Sequence, residues 1–258
     1  SVEEALQLRQ AGVTLPILVL GSIYPFEAFE YAIKNNIAIT IASLDAAKAV
    51  CEIAEKIGKK ALCHVKQDTG MGRIGTRRGG VFNVIEYLDK NPHVILDGLF
   101  THLSSVETDP AYTEEQIGYY RDTLTNVHLK GIHINYCHVA ASSAITARPD
   151  VHYDMVRTGH SAFGLEAGFE PILSLKTRVV YVKDVPAGAS ISYNRSFIAP
   201  APMKVATLPL GYGDGYLRAL SNKAEVLING KRCRVLGNIT MDMMMVDITN
   251  AGSVKVGD

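Results

Sequence analysis

The sequence has no long apolar run and no excess of either charge, and each absence excludes a class of protein. Its most apolar window, residues 15–23 (LPILVLGSI), is too short to span a bilayer and ends with Gly21 and Ser22, as a buried strand does. The 26 Lys and Arg residues equal the 26 Asp and Glu residues, so no nucleic-acid-binding surface is indicated. We expect a globular protein with neither a membrane segment nor a signal peptide.

Cysteines are scarce and widely separated. The four of them, Cys51, Cys63, Cys137 and Cys233, form no CxxC pair. This pattern fits reduced, buried thiols better than a disulfide framework or a zinc site. It predicts a cytoplasmic protein.

Helical and strand patterns alternate through residues 1–168. Ser1 with Glu4, and Thr113 with Gln116, have the spacing of helix capping boxes. Six mostly apolar segments read as parallel strands covered on both faces: 17–20, 37–43, 61–66, 94–103, 133–140 and 153–160. Six such strands fit an open doubly wound sheet or an eight-stranded barrel without its first units. Because the sequence starts inside a helix pattern, we favour an α/β fold that is an incomplete TIM-type barrel. Residues 1–168 would then contain about six of its eight strands.

In residues 169–258 the sequence pattern changes to short β segments separated by turn residues. Asn229-Gly230, inside AEVLINGKRCRVLG, is a strong hairpin signal. We therefore expect a second, mostly-β C-terminal domain, itself partial.

Polar residues follow several predicted strands, where active sites of parallel α/β folds gather. They are the segment Lys66 to Arg73, His102, the pair Ser142 and Ser143, and the segment Arg157 to His160. Hydroxyl, backbone-amide and arginine donors suit a phosphate-bearing anion. Each residue taken alone is better explained as a loop cap or a satisfied core group.

Common catalytic motifs are missing. Lys66 precedes the glycines of KQDTGMGRIG, whereas the lysine of a phosphate-binding Walker loop follows them. His64, His102, His133 and His138 lie on or beside strands, but nearby acids lack the spacing of a metal site. No GxSxG nucleophile motif is present. We expect no metal.

The segment GYGDGY, residues 211–216, has glycine at every other position. It could cradle a phosphate, bend the chain so as to aim Tyr212, or form a flexible turn. No basic residue follows it in the arrangement of a phosphate loop, which favours the bend.

Several motifs in order, VKQDTGMGRIG, FTHLSS, ASSAITARPDVHYDMVRTGHSAFG, VATLPLGYGDGYLRAL and GNITMDMMMVD, closely resemble the alanine racemase family. The resemblance implies a fold-type III enzyme that uses pyridoxal 5′-phosphate to interconvert L- and D-alanine, supplying D-alanine for peptidoglycan. It also implies a homodimer, in which the β domain of one chain covers the barrel of the other.

The resemblance assigns roles to individual residues. Tyr212 is the base that serves the L-enantiomer. The opposing base is the lysine that binds the cofactor in the family; its motif is absent, so we expect it upstream of Ser1 and expect this stretch to be inactive alone. Arg157 faces the pyridine nitrogen with His102 as its partner. Phosphate is bound by Ser143 and by the backbone of Gly159 and His160.

Further roles concern the substrate. Arg73 lies near the phenolic oxygen of the cofactor and the substrate carboxylate, and Lys66, often carbamylated in the family, holds Arg73. Met241 meets the substrate carboxylate through its backbone, with Asp242 beside it.

Three alternatives stay open at this point. A racemase of serine or another small amino acid has the same scaffold. A non-catalytic pyridoxal-phosphate-binding protein has a related barrel but lacks the β domain. A metal-dependent barrel hydrolase would not need Tyr212.

Overall fold

Strands and helices alternate from the start of the chain, and the strands form one parallel sheet. The computed structural model describes residues 1–77 and 79–258; within them the sheet has five strands in the order β1-β2-β3-β4-β5. The strands are β1 Ile17–Val19, β2 Ile37–Ile41, β3 Ala61–Lys66, β4 Val94–Phe100 and β5 Tyr136–His138. The helices are α1 Val2–Gln10, α2 Ala28–Lys34, α3 Leu44–Ile57, α4 Gly79–Asp89, α5 Pro110–Leu129 and α6 Ser142–Ala147. Consecutive parallel strands with intervening helices make an incomplete TIM-type barrel, as predicted.

Apolar patterning explains how these elements pack. All five residues of β2 are buried, which is expected for a strand covered on both faces. Helix α3 places Ala47, Val50 and Ala54 on one buried stripe. It begins at Ser43, whose hydroxyl accepts from the Ala46 amide, and ends at Gly58 with φ +70.

The predicted helix starts had different outcomes. The capping box of Ser1 and Glu4 is present at α1, which confirms that prediction. The box predicted at Thr113 is wrong, because α5 begins earlier, with Asp109 as N-cap and Pro110 in the first turn. The Thr113 hydroxyl donates instead to the carbonyl of Asp109.

The sixth predicted strand, residues 153–160, is not formed. Its backbone contacts with the sheet include an isolated bridge between Ala141 and Arg157 and a hydrogen bond from the Asp154 amide to the Cys137 carbonyl. Tyr153 has a left-handed backbone with φ +49, and the carboxylate of Asp154 accepts from the amide of Cys137. A side chain thus occupies a β5 donor that a sixth strand would need, so no continuous ladder develops.

Ser174–Asp258, every residue of which is described, forms a second unit; the first is Ser1–Leu173. Its main sheet has the order β10-β11-β12-β9-β6 with antiparallel pairing, and β7 pairs with β8. The strands are β6 Tyr181–Val185, β7 Ser190–Ile191, β8 Phe197–Ile198, β9 Met203–Leu208, β10 Glu225–Ile228, β11 Lys231–Leu236 and β12 Met244–Asp247. Asn229 (φ +52) and Gly230 (φ +72) form the predicted hairpin turn between β10 and β11.

Candidate active site

A cavity of about 600 Å³ opens at the carboxyl ends of β3 and β4. It lies within the first unit and is also lined by the start of α6 and the segment that follows it. The structure brings together here every site residue predicted from this unit: Lys66, Arg73, His102, Ser143, Arg157, Gly159 and His160.

The guanidinium of Arg157 is fixed by four hydrogen bonds within the described part of the chain. Nη1 donates to Nδ1 of His138 at 2.7 Å and to the carbonyl of the same residue at 3.1 Å. Nη2 donates to the carbonyls of Thr101 at 2.8 Å and Val139 at 3.0 Å. The Nε–H donor has no partner among the described residues and is therefore available to a ligand.

Arg157 is a cation at neutral pH. Burial, and then the charge of Arg73, lower the pKa of Arg157 to about 10. Its guanidinium carbon lies 5.4 Å from the centroid of the Phe100 ring, a favourable position for a desolvated cation.

The partner predicted for Arg157 is not the one that the structure shows. We expected His102, but the imidazole that accepts from Arg157 is that of His138. His102 lines the same cavity, where burial and the charges of Arg157 and Lys66 lower its pKa to about 4. Both histidines follow strand patterns in the sequence, and only distances in the folded chain separate their roles.

Lys66 is an amine without a hydrogen-bond partner. The residue is 2% exposed, and its Nζ makes no hydrogen bond within residues 1–77 and 79–258. Burial, and then the charges of Arg157 and Arg73, lower the pKa of Lys66 to about 7. The Nζ lies 5.0 Å from the Phe100 ring centroid. A large part of this amine is therefore neutral at physiological pH, and a neutral amine is nucleophilic.

Arg73 is carried by a loop that Asp68 organises. One carboxylate oxygen of Asp68 accepts from the amides of Gly70 and Gly72, each at 3.0 Å. The other accepts from Nε of Arg77 at 3.0 Å. The loop thereby turns back beside the end of β3, and Arg73 lines the cavity.

The hydroxyl that converges with the Gly159 amide belongs to Ser142. Its Oγ accepts from the Gly159 amide at 3.1 Å and lies 3.4 Å from the amide of Ser161. Ser143, the predicted phosphate ligand, lines the cavity beside it. The sequence presents two adjacent serines and has no signal that distinguishes them.

The histidines of the parallel sheet bond to each other and to Arg157. Nδ1 of His64 lies 3.0 Å from Nε2 of His138, and Nε2 of His64 lies 3.2 Å from the Asp97 carboxylate. No group of three or more His, Cys, Asp or Glu side chains suited to a metal occurs in the part of the chain that is described.

Three predicted site residues lie together in the second unit. Tyr212 begins a short 3₁₀ helix, and its amide donates to the Thr240 carbonyl at 3.0 Å. The Gly213 amide donates to the carbonyl of Met241 at 2.8 Å. Tyr212 is 46% exposed and Met241 is 56% exposed, while Asp242 is exposed beside them. Their side chains are thus open to a ligand or a partner chain.

In the segment GYGDGY, Gly211 has no room for a side chain. A Cβ on Gly211 would lie 2.2 Å from the carbonyl oxygen of Met241 and 2.3 Å from that of Thr240. Glycine therefore lets the Tyr212 loop pack directly on the neighbouring backbone. This agrees with a bend in the chain at Tyr212, and the close approach is to the backbone of the same chain.

Comparison with known proteins identifies the architecture. Residues 1–167 match the model of the alanine racemase N-terminal domain, and residues 172–258 match that of the C-terminal domain. Alanine racemase 2 of Caldanaerobacter subterraneus subsp. tengcongensis is 41% identical over 268 residues, which cover 100% of this chain and 69% of the relative. An alanine racemase of Desulfovibrio desulfuricans is 40% identical and covers 100% of this chain and 71% of its own length.

Solved structures agree. The alanine racemase of Clostridium difficile 630 superposes with a TM-score of 0.91 at 37% identity, covering 100% of this chain and 70% of that one. An alanine racemase from a D-cycloserine-producing Streptomyces lavendulae superposes at 0.87 with 28% identity, covering 98% and 70%. These matches place the chain, an incomplete barrel with a cation-lined cavity followed by an antiparallel β unit, among the amino-acid racemases, a class of isomerase. The chain belongs to the alanine racemase family.

Two further observations concern the chain as a whole. Each of the four cysteines is free. Among the helices that the structure describes, none has both the length and the apolar character needed to cross a membrane.

Proposed function

We propose that the protein interconverts L- and D-alanine with pyridoxal 5′-phosphate as cofactor and two opposed bases. The observation that carries the proposal is the Nε–H of Arg157, which has no partner within residues 1–77 and 79–258, in a guanidinium whose other donors are engaged. A fixed cation with one free donor suits an unprotonated ring nitrogen, which can only accept.

The residues of the cavity fit this cofactor. Phosphate requires hydroxyl and amide donors, and Ser142, Ser143, Gly159 and His160 supply them beside Arg157. When bound, pyridoxal phosphate supplies a conjugated ring that spreads the charge left at the substrate α-carbon. Because Arg157 keeps its own proton, it leaves the ring nitrogen unprotonated and limits how far the ring withdraws electrons.

Tyr212 is the proposed base for the L-enantiomer. Its exposed phenol suits transfer of a proton to and from a substrate. The backbone of Met241, with Asp242 beside it, would bind the substrate carboxylate. The opposing base is assigned to no lysine of this sequence.

Arg73 is proposed to lie near the phenolic oxygen of the cofactor and the substrate carboxylate, and Lys66 is proposed to hold Arg73 there. The neutral amine of Lys66 can attack carbon dioxide at carbon, forming a carbamate with release of one proton. The carbamate would carry a negative charge in place of the neutral amine and would accept hydrogen bonds from Arg73. The low pKa of Lys66, and the lack of a hydrogen-bond partner for its Nζ in the described part of the chain, support this modification.

We also propose an assembly and a cellular role for the protein. The protein would be a cytoplasmic homodimer that supplies D-alanine for peptidoglycan, with Tyr212 and Met241 of one subunit acting in the site of the other. Growth of a D-alanine-requiring bacterium without added D-alanine, once it expresses the complete protein, would support this role. Comparing turnover of alanine and serine distinguishes the two substrates.

Replacement of Tyr212 by Phe tests the base assignment. In D₂O, Tyr212→Phe should slow exchange of the α-hydrogen of L-alanine by about 100-fold or more, the usual size of a general-base effect. Exchange in D-alanine should persist, since the opposing base is untouched. NMR of the α-hydrogen measures both rates.

Tyr193→Phe is the matched control. Tyr193 is an exposed tyrosine in a 3₁₀ helix of the same unit, and its loss should leave both rates unchanged. Undiminished exchange of L-alanine in Tyr212→Phe would refute the assignment of the base.

A further inference from the structure

A row of three hydrogen bonds joins Arg157 to Asp97 through two histidines that are themselves buried. Arg157 Nη1 lies 2.7 Å from His138 Nδ1, and His138 Nε2 lies 3.0 Å from His64 Nδ1. His64 Nε2 lies 3.2 Å from Asp97 Oδ2. His138 is fully buried and His64 is 3% exposed, so water does not compete for these bonds.

An irregularity in the sheet creates the far end of this row. Cys63 pairs with Leu96, but the next residue, His64, pairs with Gly98, which leaves Asp97 as an extra residue in β4. Such a bulge redirects side chains. A Cβ on Gly98 would lie 2.1 Å from Nδ1 of His64, so the glycine makes room for the imidazole beside Asp97.

Arg157 and Asp97, the two ends of the row, determine on which nitrogen of each histidine the proton lies. Arginine can only donate, so His138 accepts at Nδ1 and carries its proton on Nε2. That proton is donated to Nδ1 of His64, whose own proton must then lie on Nε2. A carboxylate can only accept, and Asp97 receives this last donor. The row is thus satisfied in one direction and with neutral rings.

We propose that Asp97 is a positioning residue which fixes the tautomers of His64 and His138 and thereby holds Arg157 in place. The significance for the cofactor rests on the proposed function, in which Arg157 meets the ring nitrogen. Without Asp97, His64 has no reason to prefer Nε2 as its protonated atom. If the proton of His64 moves to Nδ1, that N–H faces the Nε2–H of His138, and two donors then point at each other. If His138 in turn moves its proton to Nδ1, that N–H faces the Nη1–H of Arg157, and the conflict between donors is only transferred.

Electrostatics agree with neutral rings. Burial, followed by the charge of Arg157, lowers the pKa of His138 to about 2. Burial likewise lowers the pKa of His64, although Asp97 opposes the shift. The second oxygen of Asp97 accepts from the side-chain amide of Asn135 at 2.9 Å, which anchors the carboxylate.

The first test needs no variant and no cofactor. In the complete protein labelled with ¹⁵N-histidine, long-range ring correlations at neutral pH should show both His64 and His138 as neutral rings protonated on Nε2. A proton on Nδ1 of His138, or a charged ring at either position, would overturn the proposal.

The second test removes the carboxylate. Asp97→Ala should give mixed ring patterns at His64 and His138 and weaken binding of pyridoxal 5′-phosphate, followed by absorbance, by about tenfold, the worth of one hydrogen bond. Asp154→Ala is the matched control, because Asp154 also accepts from a sheet group, the Cys137 amide, without touching either ring. It should preserve both ring patterns.

The two proposals fail in different ways. Unchanged ring patterns in Asp97→Ala refute the positioning role. If the wild-type protein does not bind pyridoxal phosphate, the proposed function fails, whereas the ring patterns still decide the role of Asp97.

Discussion

Lys66 lies in an environment that strongly disfavours its charge. The amine is buried, has no hydrogen-bond partner among the described residues, and shares its cavity with Arg73 and Arg157. Desolvation and like charge both favour the neutral form. The residue therefore reduces stability whenever it is protonated, and sites that bind ligands often retain such groups.

Stability should depend on pH through the lowered pKa of Lys66. The pKa of Lys66 is lowered from 10.5 to about 7 in the folded chain, so the unfolded chain holds more protons between these values and stability contributed by this site rises with pH. Lys66→Met should therefore raise the free energy of unfolding most below about pH 7, by on the order of 4 kcal/mol. The gain should shrink toward pH 10.5. Urea unfolding without bicarbonate measures it.

Lys48→Met controls for the loss of a lysine from the surface. Lys48 is exposed on α3, and its replacement should change stability equally at every pH. A gain from Lys66→Met that is independent of pH would contradict the lowered pKa. Added bicarbonate should stabilise the wild type and leave Lys66→Met unaffected if the carbamate forms.

At the scale of elements, the sequence pattern predicts those features, such as helix caps and hairpin turns, that depend only on interactions between neighbouring residues. Ser1 and Glu4 satisfy each other within one turn, and Asn229-Gly230 requires only its own left-handed backbone. The strand predicted at residues 153–160 does not form, because the side chain of Asp154, a residue of that segment, takes the β5 donor that a ladder would use. The alternation of apolar residues along a sequence cannot predict a hydrogen bond of this kind, between a side chain and the backbone of a neighbouring strand.

The same limit applies to the site. The strand-end rule identifies the residues that line the cavity, because parallel strands bring their carboxyl ends together. It does not choose His138 over His102, nor Ser142 over Ser143, because packing decides which side chain comes within hydrogen-bond distance. Asp97 becomes significant only through the bulge beside Gly98; an isolated glycine in a strand pattern suggests a bulge but does not show which side chain it redirects.

The loop that carries Tyr212 provides an element-scale prediction. Gly211→Ala should lower the free energy of unfolding by about 2 to 4 kcal/mol, since the new Cβ would meet two backbone carbonyls that cannot rotate away. Thermal or urea unfolding followed by circular dichroism measures the change.

Gly118→Ala is the matched control. Gly118 lies within α5, and a Cβ there would meet nothing within 4 Å. The replacement should raise stability by about 0.5 to 1 kcal/mol, the propensity difference between the two residues. Equal stability of Gly211→Ala and the wild type would show that the tight packing at Gly211 is not a constraint.

At the scale of the whole molecule, the proposed site residues divide between two units. Arg157 and Lys66 belong to Ser1–Leu173, whereas Tyr212 and Met241 belong to Ser174–Asp258. The proposed homodimer builds each site from the first unit of one subunit and the second unit of the other. A two-fold dimer then has two equivalent sites, each needing both chains.

Mixed dimers test this arrangement. Arg157→Ala and Tyr212→Phe, each inactive as a homodimer, should regain about a quarter of wild-type racemase activity when complete chains are unfolded together in equal amounts and refolded with cofactor. Half of the dimers are then mixed, and in each mixed dimer one site contains both intact residues while the other has lost both. Chains refolded separately and then combined without exchange control for the mixing. If each subunit held a complete site of its own, every site would have one defect and no activity would return.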